Sequence, residues 1–208
     1  MSTYGYMRGF LIALPLLLAS GLAAADERFQ VKPAQEYSAR QEQAGVTIAV
    51  QPYRGEEEQK GAFGKAQPYK YGFLPVLVVI ANESDHPLGL DQLKVRLIDG
   101  RREGLEPTSG EDLGFFNPKG HKPKDRPSYI PIPLGGPKVK KGPLAKPEIT
   151  QREFQAPVVA PHTTASGFFY YNTGTGSLDG ASMYISGIRD MTTGSDLFYF
   201  EIPLPSGN

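Results

Sequence analysis

The chain has 208 residues, with 22 basic residues balancing 22 acidic ones, so no global charge draws it to nucleic acid or to a membrane surface. It has no cysteine, which excludes a disulfide framework, a lipid-anchored cysteine and a thiol nucleophile, and no tryptophan, on which many sugar-stacking sites and interface hot spots lean. Its 24 glycines and 19 prolines call for abundant turns and loops, within a length that suits one compact domain with a proper core.

Residues 1–25 read as a secretory signal peptide: Arg8 supplies the positive charge, Phe10 to Leu22 the apolar run, and Ala23-Ala24-Ala25 the small-residue cleavage end. The run falls short of the roughly 20 apolar residues that span a bilayer. This predicts an exported protein, periplasmic or extracellular after cleavage near Ala25, with no membrane span in the mature chain. Residues 26–45 are polar, and Gln35 to Ala44 is a run of good helix formers without an apolar stripe, read as a tether or one short helix. Val46, Ile48 and Val50 then alternate with Thr47, Ala49 and Gln51, the period of a strand with one wet face, and Pro52 ends it.

A polar connection containing Glu56-Glu57-Glu58 leads to Phe73–Ala81, continuously apolar and rich in β-branched residues, which predicts a central strand covered on both faces. Asn82 to Pro87 is a dense turn signal. Leu93, Val95 and Leu97 make another strand, followed by a hairpin-type turn at Asp99-Gly100.

Between Asn117 and Pro147 eight prolines and four glycines rule out a regular helix or central strand, which predicts an extended insert with polyproline II stretches around Ile130 to Pro133. Eight basic residues face only Asp125 there, a local charge of +7. Strand character returns at Phe154–Val159. Pro161 to Gly167 reads as a loop, Phe168 to Tyr171 as a strand, and Thr173 to Gly180 as a glycine-rich connection. Met183–Asp190 and Leu197–Leu204 read as two antiparallel strands, with residues 205–208 as a tail. About seven strands with no helix between successive ones favour an all-β fold, a single antiparallel β-sandwich over residues 46–204, interrupted by the insert at 117–147.

The layout of Gly72 to Val76 into an apolar strand ending at Asn82-Glu83-Ser84, a strand ending Leu97-Ile98-Asp99, and a Pro-led loop into Gly167 to Tyr170 resembles immunoglobulin-like sandwich domains of secreted bacterial proteins. Most of those have no assigned activity. The resemblance implies a fold and no catalytic residue. The basic insert and the lack of the Cys and Trp of antibody domains depart from the pattern.

The insert is the foremost candidate site. Lys138, Lys140 and Lys141 sit closest together, with Lys122, Lys124 and Arg126 upstream, and extension keeps such charges accessible to an acidic envelope protein or an anionic polymer. The export signal argues against nucleic acid. The aromatic runs Phe168 to Tyr171 and Phe198 to Phe200 come next. Alternation sends Phe169 and Tyr171 to one face and Phe168 and Tyr170 to the other, so one set is core. The other is either an aromatic platform for carbohydrate or packing under the tether or insert, and packing is favoured.

His86, His121 and His162 fall in loops without metal-ligand spacing, and the acidic clusters Glu56 to Glu58 and Glu111-Asp112 lack the order of a calcium loop, so neither metal nor cofactor is expected. No Gly-x-Ser-x-Gly occurs, and Thr173 to Gly176 lacks the lysine of a phosphate loop. A loop-sited hydrolase would need His86, His162, Asp179 or Asp190 to converge. Asn82-Glu83-Ser84 matches a glycosylation sequon that matters only in a eukaryotic secretory pathway. The reading that follows is an exported, non-enzymatic binding or adaptor protein of the cell envelope, with a carbohydrate-binding module or a hydrolase as alternatives.

Overall fold

The structure is a computed structural model that describes residues 29–116, 141–174 and 178–205. The predicted signal peptide and most of the insert lie outside these. The described chain is mostly β, and every pairing between its strands is antiparallel. The first sheet joins β1 (Arg40–Gln43), β2 (Val46–Pro52), β3 (Phe73–Asn82) and β8 (Thr163–Asn172), in that order. The second runs β11 (Phe200–Pro203), β9 (Ser182–Ser186), β5 (Lys94–Ile98) and β6 (Gly104–Leu105). A short ribbon of β10 (Arg189–Asp190), β4 (Leu88–Gly89) and β7 (Val158–Val159) continues from the Asn82 end of β3.

As the unbroken apolar run of β3 requires, all ten of its residues are buried. Leu74, Val76, Val78 and Ile80 point into a core shared with Val95, Leu97, Met183, Ile185, Phe200 and Ile202 of the second sheet. Phe73, Leu77, Val79 and Ala81 point the other way, into a second core. That core is roofed by the turn at Ala34–Glu36, by α1 (Glu56–Phe63), α2 (Gly110–Leu113) and α3 (Pro147–Gln151), which deliver Phe63, Leu113 and Ile149, and by Leu144 from the turn before α3. Each apolar side chain removed from water contributes roughly 1.5–3 kcal/mol, so two cores on one sheet make β3 the spine of the molecule.

Four local expectations are corrected. Residues 40–43 are a strand rather than a short helix, because Ala44 and Gly45, at φ 53° and 73°, turn the chain back so that Arg40 pairs Ala49. The Glu56 run is a helix start: Glu58 Oε2 accepts from the Gly55 N–H at 3.1 Å, and carboxylates suit the positive end of the dipole. Strand β8 begins at Thr163, within the expected loop, because pairing with all ten residues of β3 satisfies the backbone groups on that side. Of Phe154–Val159 only Val158–Val159 is a strand. The 152–154 backbone bonds instead to Phe168, and Pro157 has no N–H to give. Helices also intervene between β2 and β3 and between β6 and β7.

Hydrogen bonds tie down three of the four edge strands of the two large sheets. Thr108 donates to Tyr170 O at 2.7 Å along β8, and the Glu201 N–H of β11 donates to Gln41 Oε1 of β1 at 3.0 Å.

Candidate functional site

The basic segment leaves and rejoins the fold at one place. Ser109 caps α2 by accepting from the Asp112 N–H at 3.1 Å, and Leu113 on one side and Leu144 on the other are fully buried. Gly142 N donates to Gly114 O at 2.7 Å. A Cβ at position 142 would stand 2.0 Å from Phe116 O, so only glycine lets the two strands of chain touch. A hollow of about 430 Å³ opens beside this junction, lined by Phe115, Lys141, Lys146, Pro147 and Thr150. Lys141 is exposed on its rim. Lys122, Lys124, Arg126, Lys138 and Lys140 lie outside the described residues.

A second cluster forms at the Asn82 end of β3. Asn82 is 1% exposed; its amide donates to His86 O, Val159 O and Ala160 O, and its carbonyl accepts from Ser84 N and Ser84 Oγ. A side chain so occupied is no glycan acceptor, which removes the sequon from consideration. His86 Nδ1 meets Asp190 Oδ2 at 2.8 Å, and His162 Nε2 meets Asp85 Oδ1 at 3.0 Å. The other Asp190 oxygen accepts the N–H groups of Thr192 and Thr193. Led by the His86 contact, these bonds hold its carboxyl down to about 2.

Two of the polar residues that a hydrolase would need therefore do touch. The constellation ends there, since among the described residues no hydroxyl bonds the remaining ring nitrogen of His86, and Ser84 Oγ is turned to Asn82 and to the His86 carbonyl. Asp179 belongs elsewhere, beside Gly100 past the Ile98 end of β5, whereas Asp190 follows β9 at its Lys94 end. The arrangement braces three loops. No group of three or more His, Asp or Glu able to hold a metal occurs among the described residues.

The aromatic runs divide as follows. Phe168 and Tyr170 are buried in the second core, where Phe168 packs edge-on to Tyr53 and Phe63, and Phe29 of the N-terminal segment leans on the same ring. Tyr171 is buried in the shared core, and Phe169 packs at its border against Phe154. That strand offers no aromatic platform. Phe200 is buried, but Phe198 and Tyr199 precede β11 rather than lying in it and are 77% and 54% exposed. Tyr199 stacks on Tyr184 of β9, with centroids 5.2 Å apart and planes 24° off parallel.

Tyr184 was not a candidate from sequence. The only signal was its place between Met183 and Ile185, whose burial turns it outward. Comparison with known proteins finds no matching family and no similar curated protein. No helix among the described residues is long and apolar enough to cross a membrane.

Proposed function

We propose that this protein is an exported, non-enzymatic, immunoglobulin-like binding module of the cell envelope that presents its basic proline-rich segment to an acidic protein or an anionic polymer. Strand order supports the immunoglobulin-like part: β2, β3 and β8 take the places of strands A, B and E, while β11, β9, β5 and β6 take those of G, F, C and C′. In chain order, α2 and α3 stand between the counterparts of C′ and E, where a strand D would be expected, and flank the basic segment. Export is supported by the pattern of residues 1–25. Phe29, a few residues past Ala25, already packs on Tyr53 and Phe168, so cleavage there leaves the packed chain whole.

The observation that carries the binding role is the junction at the foot of the segment, closed by the 2.7 Å bond from Gly142 to Gly114 and anchored by buried Leu113 and Leu144. A lysine-rich segment fixed at both ends has less freedom to lose on binding than a free tail of equal length. Its charges also raise the encounter rate with polyanions, an effect that fades with salt.

Three forms test the reading on immobilised dextran sulfate and polyglutamate: residues 26–208, the same chain with Lys138→Gln, Lys140→Gln and Lys141→Gln, and a chain with 117–140 replaced by a short Gly/Ser linker. The Gly114–Gly142 contact accommodates that linker. The two altered forms are expected to elute at lower salt with an unchanged circular dichroism spectrum. Identical elution of three equally folded forms at low salt refutes the role of the segment, and no retention of any form refutes polyanion binding.

A further inference from the structure

We propose that the outward face of the β6–β5–β9–β11 sheet binds a neutral polysaccharide, with the Tyr184–Tyr199 stack as its platform. The inward residues of this sheet, Val95, Leu97, Met183, Ile185, Phe200 and Ile202, are consumed by the shared core. The register fixes what alternates outward. Glu201 lies opposite Tyr184 and Tyr184 opposite Arg96, forming one row across the sheet. On one side of it lie Lys94 and Ser186, on the other Ile98, Ser182 and Pro203. The centre of the face is therefore aromatic, with hydroxyl, guanidinium and carboxylate groups around it.

Ring exposure is the second observation. Tyr199 covers Tyr184 and turns its own outer face to solvent, and the adjoining Phe198 is more exposed still. Rings of this size usually bury about 150–250 Å² each, so leaving two neighbours in water forgoes a large stabilisation. An exposed apolar patch with polar surroundings marks a place where something docks.

Charge decides among occupants. Arg96 Nε stands 2.6 Å from Glu106 Oε1 in an ion pair without hydrogen-bond alignment, and Arg102 bonds Glu201 at 3.4 Å. Glu201 also accepts from Ser182 Oγ at 3.2 Å. Both arginines are thus matched by carboxylates, and the single exposed Lys94 at the edge of the face leaves too small a field to select an anionic polymer. Addition of a peptide strand to β11, the edge nearest the stacked rings, is disfavoured because the N–H of Glu201 is already taken by Gln41 and Pro203 has none. A sugar ring fits the remaining chemistry: its C–H face lies on Tyr199, and its hydroxyls exchange hydrogen bonds with groups that both donate and accept.

Affinity electrophoresis tests this with residues 26–208 in gels containing barley β-glucan, xylan or hydroxyethylcellulose, alongside Tyr199→Ala. Retardation is expected in at least one gel, insensitive to salt and about tenfold weaker in the variant, the size of one lost stacking contact. Dextran sulfate retention, which belongs to the basic segment, should be the same in Tyr199→Ala, so the two readings fail separately. Migration unaffected by all three polysaccharides, or equal retardation of the variant with an unchanged circular dichroism spectrum, overturns the proposal.

Discussion

Replacing Tyr171 with phenylalanine removes a single oxygen from the contact between the two large sheets. The side chain is fully buried on β8, opposite Leu74, and its hydroxyl crosses the shared core to donate to Val95 O of β5 at 3.0 Å. A neutral hydrogen bond contributes about 0.5–1.5 kcal/mol net, but removing one partner and leaving Val95 O short of a donor in a dry core costs about 1–3 kcal/mol. For a chain of this length each kcal/mol moves Tm by about 2–4 °C, so Tyr171→Phe should melt about 2–12 °C lower. Tyr171→Ala also deletes the ring and opens a cavity, a loss of about 3–5 kcal/mol, a large share of the roughly 5–15 kcal/mol that holds a domain folded. Urea and thermal denaturation of both variants provide the assay, with the half-exposed Tyr199→Ala as a reference expected to lose no more than about 1.5 kcal/mol, the worth of its one ring pair. If Tyr171→Ala lost no more than that reference, the two sheets would not share the core described above.

Two pH effects follow from named groups. Burial pushes the hydroxyls of Tyr53, Tyr170 and Tyr171 above their ordinary value of 10.0. The unfolded chain would ionise at that value, so the stability supplied by these neutral rings is complete below pH 10 and is lost as pH rises beyond it. Loss of β-sheet ellipticity together with a jump in tyrosinate absorbance is expected on alkaline titration; gradual absorbance change with the sheet signal intact to pH 12 would contradict it. At the other extreme the Asp190 carboxyl lies near 2 against an ordinary 3.8, so its stabilisation is present above 3.8 and is lost as pH falls through about 2. Protection of the Thr192 and Thr193 amides, measured against their intrinsic exchange rates, should fall through that acid window and be low at every pH in Asp190→Asn, and unaltered protection in the variant would show that the carboxylate does not brace the loop.

What the sequence made legible depended on how far each element declares itself locally. β3 announced itself because burial on both faces demands an unbroken β-branched run, and the opposed placement of Phe168 and Tyr170 against Phe169 and Tyr171 follows from a two-residue period. β1 was hidden because Arg40 to Gln43 carries no apolar residue and turns at Ala44-Gly45 rather than at Asn-Gly. α1 spans only eight residues and buries Gln59, Ala62 and Phe63, too little for a helical period, while its acidic first turn reads equally well as solvated charge. For the site the divide is similar. The charge of the basic segment is a property of composition, but the meeting of Gly114 with Gly142, of His86 with Asp190 and of Tyr184 with Tyr199 depends on long-range register.

The layering narrows where function can reside. Two stacked sheets have four faces. Two are spent on the shared core, and a third, the far side of β3 and β8, is roofed by Phe63, Leu113, Leu144 and Ile149. The helical roof does two things at once: it removes the Phe168 and Tyr170 rings from solvent, and it supplies the anchored foot from which the basic segment departs. An aromatic ligand platform is therefore incompatible with the strand richest in aromatics and is left to the fourth face, where Tyr184 and Tyr199 stand among paired charges. Polyanion capture through the segment, whose foot lies under the roofed side of β3, and neutral glycan capture through the open face would then share no described residue, and substitutions in one should leave the other unchanged, as sites that share no partners are independent.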